Sequence, residues 1–276
     1  MDFQSIVQNV ESLPSLSDTA LRIRALYSKG DELNIKSLVR EIESDALLTA
    51  NILKMINSPL YGFSKQISSV MQAVTLFGVQ MVYGLVVNYA IHSVVVANLR
   101  AYGVNNSRFN EVCQMQSMLM KKWYTPIDSE HAKLLTPLAL IMESGKLITA
   151  KEITLAGKIK EFHDGLKNAE NISVYEHEVF GTSSYFVSGL LFEHWNLDKL
   201  YVDLLKGLDY EYDKNSAQNI KYIDSLDVIR TAVNVNDILS DKSISKAAEL
   251  VVEIGLNKSH FLEVAREIQY NYEKTQ

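Results

Sequence analysis

Asp45-Ala-Leu-Leu-Thr-Ala-Asn-Ile-Leu-Lys-Met-Ile-Asn-Ser-Pro-Leu-Tyr-Gly62 reads as one helix and its stop. Asp45 suits an N-cap, because its carboxylate can accept an otherwise unpaired N–H of the first turn. Leu48, Ile52 and Ile56 follow at i, i+4 and i+8, which sets them on one inward face. Asn57 tolerates the left-handed conformation common just past a helix, and Pro59 cannot continue one. The period and the punctuation are both helical.

The same grammar extends in both directions. Upstream, Phe3, Ile6, Val7 and Val10 share a helical face that Leu13-Pro14 ends. Ser15-Leu-Ser-Asp18 has the capping-box spacing for a second helix to about Tyr27. Lys29-Gly30-Asp31 is a turn. Asn34 then caps a third helix carrying Ile35, Leu38, Val39 and Ile42, with Leu33 placed to staple against Leu38. Downstream, a fifth helix fits Ser69 to Phe77 and Gly78 breaks it. Gln66 to Leu99 carries no Asp, Glu, Lys or Arg, and Val79–Leu99 is long enough to span a bilayer, where about 20 apolar residues suffice. Gln80, Asn88, His92, Ser93 and Asn98 stud it, however, and Arg100 is its one flanking charge. The expectation is therefore a helix buried within a bundle, with no membrane span.

Arg100 to Asn106 is polar and turn-rich, and reads as the boundary between two helical halves, 1–104 and 105–276. Beyond it, helices are expected from about Asn110 to Trp123 and from His131 to Ile148, with a third opened by Thr149-Ala-Lys-Glu152. Ser173-Val-Tyr-Glu176 repeats the capping-box spacing, and Gly181-Thr-Ser-Ser184 breaks the chain before Val187–His194. Phe261, Val264, Ala265 and Ile268 mark a closing amphipathic helix.

Composition agrees. The 276 residues are 47% hydrophobic and 22% charged, with 12 Gly and 4 Pro, too few turn residues for a sandwich or barrel. The fold class is all-α. A net charge of −6 gives no support to a phosphate-binding surface, so no nucleic acid is expected as partner. One cysteine, Cys113, excludes an internal disulfide and a Cys-rich zinc site and fits a reducing cytoplasm. Met1-Asp-Phe-Gln-Ser-Ile has neither the basic nor the apolar region of a secretory signal.

Taken in order, Leu13-Pro14, the Asp45–Gly62 stretch, Ile67-Ser-Ser69 and Ala73-Val-Thr-Leu-Phe-Gly78 resemble the HDOD domain of bacterial signalling proteins, over about residues 10–210. The resemblance implies an N-terminal multi-helix bundle followed by a half like that of the HD-domain phosphohydrolases. Those enzymes bind metals through His and Asp to activate water for phosphoester cleavage. Aligning Gly145-Lys146-Leu147 with the family's Gly-Lys-Leu puts Met142 and Glu143 where the enzymes carry His-Asp. The upstream ligand falls near Cys113 or Gln114, a later histidine near Ser184, and the paired histidines near Leu208-Asp209. A thioether is a poor ligand for hard or borderline metals. No metal, cofactor or catalytic residue is therefore expected.

Other histidines offer thinner signals. His163-Asp164 is a literal His-Asp dipeptide, but Lys158, Lys160, Glu161 and Lys167 around it suggest a solvated face. His177-Glu178 with His194 has no metal-site spacing, His92 suits a hydrogen-bonded core position, and Cys113 a buried inert thiol. The leading reading is a non-catalytic signal-transduction protein whose partner is a signalling or regulatory protein. The resemblance points to bacterial motility or second-messenger output. The alternative is a divergent metal-dependent phosphohydrolase acting on a nucleotide. The candidate partner-binding surface is the groove between the halves or the rim Asn57, Leu60, Tyr61 and Phe63, whose apolar side chains exceed what a tight turn needs. Equally open is that Tyr61 and Phe63 fold back as plugs for the end of the bundle.

Overall fold

Short polar side chains set where most helices of this chain begin. The computed structural model describes residues 1–61, 65–212 and 217–274, at 217–218 by the backbone alone. Asp2, Ser17, Asn34, Asp45 and Ser69 each accept a first-turn N–H. They open α1 (Phe3–Glu11), α2 (Asp18–Tyr27), α3 (Ile35–Glu43), α4 (Ala46–Ile56) and α5 (Val70–Phe77). Ser17, not Ser15, caps α2, because Asp18 is already helical. Asn57 keeps a right-handed φ of −84° where a left-handed residue was expected. Its side chain is what shapes the turn, as described below.

Gly78 makes the corner into α6 (Val79–Val94) at φ +84° and ψ 162°, a region essentially reserved for glycine. On α6, Val82, Leu85, Val86 and Ile91 are buried, as are Tyr83 and Asn88, so little of the helix faces solvent. It ends at Val94 and not at Leu99, because Val95 is extended. Among the described residues, no helix is long and apolar enough to cross a membrane. The stretch expected as a polar turn instead forms a 3-10 turn, Leu99–Tyr102, that buries Leu99, Ala101 and Tyr102.

Asn105 caps α7 (Asn106–Tyr124), which starts four residues before the apolar periodicity suggested, and Asp128 caps α8 (Ser129–Ile141). The single helix expected over His131–Ile148 is interrupted. A 3-10 turn, Met142–Ser144, leads into α9 (Gly145–Leu155), so α9 begins at Gly145 and not at Thr149. There follow α10 (Ile159–Asn168), α11 (Ile172–Phe180), α12 (Ser184–His194), α13 (Lys199–Gly207), α14 (Ala217–Ala232), α15 (Asp241–Glu253) and α16 (Lys258–Glu273). Asn171, not Ser173, caps α11, since Ser173 lies inside the helix and Glu176 is drawn into the core. Ser183 caps α12, which starts three residues before the expected Val187.

Among the described residues there is no strand, and the one β-pairing is an isolated bridge between Val233 and Ile238. The buried apolar side chains form one cluster from Ile6 to Ile268, continuous across residues 104 and 105. Polar ties hold the N-terminus to it. Ser5 and Asn9 of α1 each donate to Glu152 of α9 at 2.7 Å. Trp195, past α12, donates its indole N–H to the Pro14 carbonyl at 3.0 Å.

Candidate functional site

The break between α8 and α9 turns Glu143 and Lys146 inward, one turn apart, and both side chains are fully buried. Opposite them, α9 and α12 meet backbone to backbone at Gly145. A Cβ there would lie 1.9 Å from the Ser184 carbonyl oxygen, so only hydrogen fits. The contact is locked by Gly145 N–H, which donates to Ser188 Oγ at 2.7 Å.

A buried, charged cluster fills this crossing. Lys146 Nζ lies 2.6 Å from Glu143 Oε2 and 3.7 Å from Glu176 Oε1, and donates to Ser184 Oγ at 2.9 Å. The Glu143 carboxylate also accepts from Gln116 Nε2 and Tyr185 OH, each at 2.8 Å. The Glu176 carboxylate accepts from Tyr102 OH at 2.8 Å and from the Ser184 N–H at 2.7 Å. Lys146 Nζ also sits 4.5 Å from the Tyr185 ring centre, and the Arg230 guanidinium carbon is equally far from it. Arg230 in turn donates to the Leu208 carbonyl and Ser173 Oγ.

Burial alone would lower the Lys146 pKa, but the Glu143 carboxylate, with Glu176 behind it, more than offsets this and raises it. Burial alone would likewise raise Glu143, and the Lys146 ammonium reverses that and holds its carboxyl below the ordinary value. A charge so placed is tolerable only because it is paired and hydrogen-bonded. An amine held as ammonium has no lone pair for base or nucleophile chemistry.

The positions aligned with enzyme ligands are accounted for one by one. Met142 is fully buried in the apolar core, and Cys113 is 3% exposed, its thiol pushed up by burial. Asp209 accepts the Ser183 N–H at 2.9 Å and has His177 Nε2 at 3.8 Å. His177 pairs more closely with Glu211, at 3.3 Å, while Glu178 is exposed and His194 instead meets the Leu13 carbonyl at 3.1 Å. His163 is not on a fully solvated face: its ring is partly buried over Gly103, whose missing Cβ makes the room, and Nδ1 is buried without a partner. Asp164 is exposed. His92 is half-buried, edge-on to Phe109, with no hydrogen bond among the described residues where one was expected. Among the described residues, no group of three or more His, Cys, Asp and Glu is placed to hold a metal ion.

Sequence reasoning reached Glu143 and Ser184 but missed Lys146, Glu176, Tyr102, Tyr185 and Gln116 as their partners. One signal was available. Between Leu138 and Ala150, Glu143 and Lys146 are the sole charges, and they stand at i, i+3, where helical side chains meet.

The rim candidates divide. Asn57 closes its loop: Nδ2 donates to the Leu53 and Ile67 carbonyls and Oδ1 accepts the Ile67 N–H, all at 2.8 Å. Leu60 is half-buried and lies between two grooves, one walled by α4, α6 and α7 and the other by α7 and α16. Tyr61 meets Phe77 edge-on at 5.2 Å, and its hydroxyl is buried without a hydrogen-bond partner among the described residues. Burial pushes the Tyr61 phenol pKa well up. Phe63 lies outside the described residues.

Known proteins share this architecture. Residues 13–207 match the family model for the HDOD domain. A virulence factor from Campylobacter jejuni subsp. jejuni is 24% identical with a TM-score of 0.57, the match covering 97% of this chain and 96% of that one. A candidate phosphohydrolase from Shewanella amazonensis SB2B is 15% identical with a TM-score of 0.72, covering 97% and 95%. A candidate signal transduction protein from Marinobacter aquaeolei VT8 is 20% identical with a TM-score of 0.67, and the match covers 95% of this chain but 58% of that one. None of the curated proteins matches the chain.

Proposed function

Because this chain belongs to the HDOD domain family, we propose that it is a non-catalytic regulatory module that works by binding a signalling protein. The observation that carries this reading is Met142-Glu143 standing where the related enzymes place His-Asp, with the Glu143 carboxylate fully buried and held by Lys146. A divalent cation entering there would have to displace an ammonium already satisfied by carboxylate, hydroxyl and ring faces. The signal-transduction description of one structural neighbour agrees with the reading, and bacterial motility or second-messenger signalling is the setting the family suggests. The 1–104 and 105–276 halves would then serve as scaffold, with the Asn57–Tyr61 rim as the docking edge.

Two measurements test this. The purified chain, incubated with manganese, should release no p-nitrophenol from bis-p-nitrophenyl phosphate and no phosphate from nucleotides. Metal-dependent turnover that Glu143→Ala abolishes would establish the hydrolase reading instead. In affinity capture from the native cell, Leu60→Asp should lose the partner that the wild-type chain retains while keeping its melting temperature. Undiminished capture would move the docking edge away from the rim.

A further inference from the structure

Two helices line the larger groove with the same kind of side chain. On α7, Asn106, Asn110 and Gln114 stand at i, i+4 and i+8, and on α6, Asn88 and His92 stand at i and i+4, so each set shares a face. The groove they wall has a volume of about 880 Å³, within the range of small-molecule sites. Its polar groups are underused. Gln114 is 8% exposed, and its Oε1 is buried with no hydrogen-bond partner among the described residues. Asn88 is 5% exposed and its amide reaches the Met55 thioether at 3.7 Å, a weak acceptor. Buried amides left in this state cost stability unless something pairs with them.

Charge narrows the ligand. Among the described residues lining the groove, Lys54 is the one fixed cation, and Glu111, paired with Arg108 at 2.7 Å, brings a carboxylate to the wall. Burial lowers the His92 pKa and so favours its neutral form. A phosphate-bearing ligand would find too little positive charge, and a lipid too many amides. Each amide offers a donor beside an acceptor, the pattern that matches the edge of a base, as when Asn or Gln pairs with adenine. Tyr89 and His92 add flat faces on which a heterocycle can stack.

We propose that this groove binds a purine, as free base or nucleoside, through the amides of Asn88, Asn110 and Gln114. Its recognition groups lie on α6 and α7, while Asn57 and Leu60 of the rim form its edge, so variants at Asn110 and Gln114 separate purine binding from partner docking.

Saturation-transfer NMR on the full chain with adenine, guanine, adenosine, guanosine, adenosine monophosphate and ribose tests it. At least one base or nucleoside should receive saturation on its ring protons, with ribose silent and the monophosphate weaker. Asn110→Leu and Gln114→Met should each weaken that binding at least tenfold. Asn110 is half-buried, so its variant tests recognition even if the buried Gln114→Met fails to fold, as a circular-dichroism melt would reveal. Silence from every purine, stronger binding of the monophosphate, or unchanged affinity in a folded Asn110→Leu would each overturn the proposal.

Discussion

Lys146 is the residue on which the buried cluster balances. Removing it as Lys146→Met leaves two carboxylates buried and uncompensated, a loss of about 3–5 kcal/mol. Urea denaturation should show this as a lower midpoint, and Glu143→Gln with Glu176→Gln in the same chain should restore much of it. The pH response should change sign. In the wild type, the depressed Glu143 pKa contributes stability that is complete above the ordinary glutamate value of 4.5 and is lost as pH falls through the folded value. The raised Lys146 pKa contributes stability that is complete below 10.5 and is lost as pH rises through its folded value. Without the lysine, burial dominates Glu143 and raises its pKa, so the variant should gain stability as pH is lowered from 7 towards 5. A variant that tracked the wild type would show that the pair is not coupled.

Tyr61 allows a second test of the same kind. Its unpartnered hydroxyl predicts that Tyr61→Phe melts at or above the wild-type temperature, whereas Asn57→Ala, which strips three hydrogen bonds from its loop, should cost about 1–3 kcal/mol. If Tyr61→Phe also loses captured partner, the hydroxyl is spent on that partner; a lower melting temperature would contradict its unpaired state. At this scale the sequence was least legible. The family resemblance pointed to Glu143 and turn chemistry to Asn57, but the ties from Glu143 to Gln116 and Tyr185 are long-range, and local periodicity carries no trace of them.

Helices were the most legible objects, because their determinants are local. The Asp45 and Asn34 caps, and the faces Leu48-Ile52-Ile56 and Phe261-Val264-Ala265-Ile268, lie where apolar period and cap chemistry put them. Errors arose where tertiary contact overrode that chemistry. The His131–Ile148 helix breaks because the chain must bring Gly145 against Ser184 and turn Glu143 inward. Gly145→Ala should therefore separate α9 from α12 and cost about 2 kcal/mol or more, a fall in melting temperature of roughly 4–8 °C. An unchanged melt would show that the crossing has slack. A milder element-level effect is expected at α1, where Glu152→Ala removes the acceptor shared by Ser5 and Asn9. Hydrogen exchange should speed up in the amides of α1 while those of α7 and α8 stay protected; uniform acceleration would mean that α1 is integral to the global unfolding unit.

Across the whole molecule, the cluster running unbroken through residues 104 and 105 implies that the two halves fold together. Residues 1–104 alone would expose the faces of α6 that are now covered, so the fragment should lack a cooperative melt, while the full chain should give one calorimetric transition whose enthalpy equals its van't Hoff value. Two resolved transitions would separate the halves. The all-α class was legible from the scarcity of Gly and Pro and from helical period, whereas the continuity of the core was not, since a polar-looking stretch such as Arg100–Asn106 conceals the buried Tyr102.

That seamless interior also decides how such a protein can carry information. As the non-catalytic binding module proposed above, with one continuous core and Glu143 held by an ammonium, the molecule would have little scope to amplify. It can occupy another molecule or leave it vacant. The message is then arithmetic: each copy silences or engages one partner, and cellular output should rise linearly with copy number until the partner is exhausted, then stop. Titrating its expression against the output it governs would show a ramp and a plateau; a response that kept growing beyond partner abundance would mean that one copy serves many times.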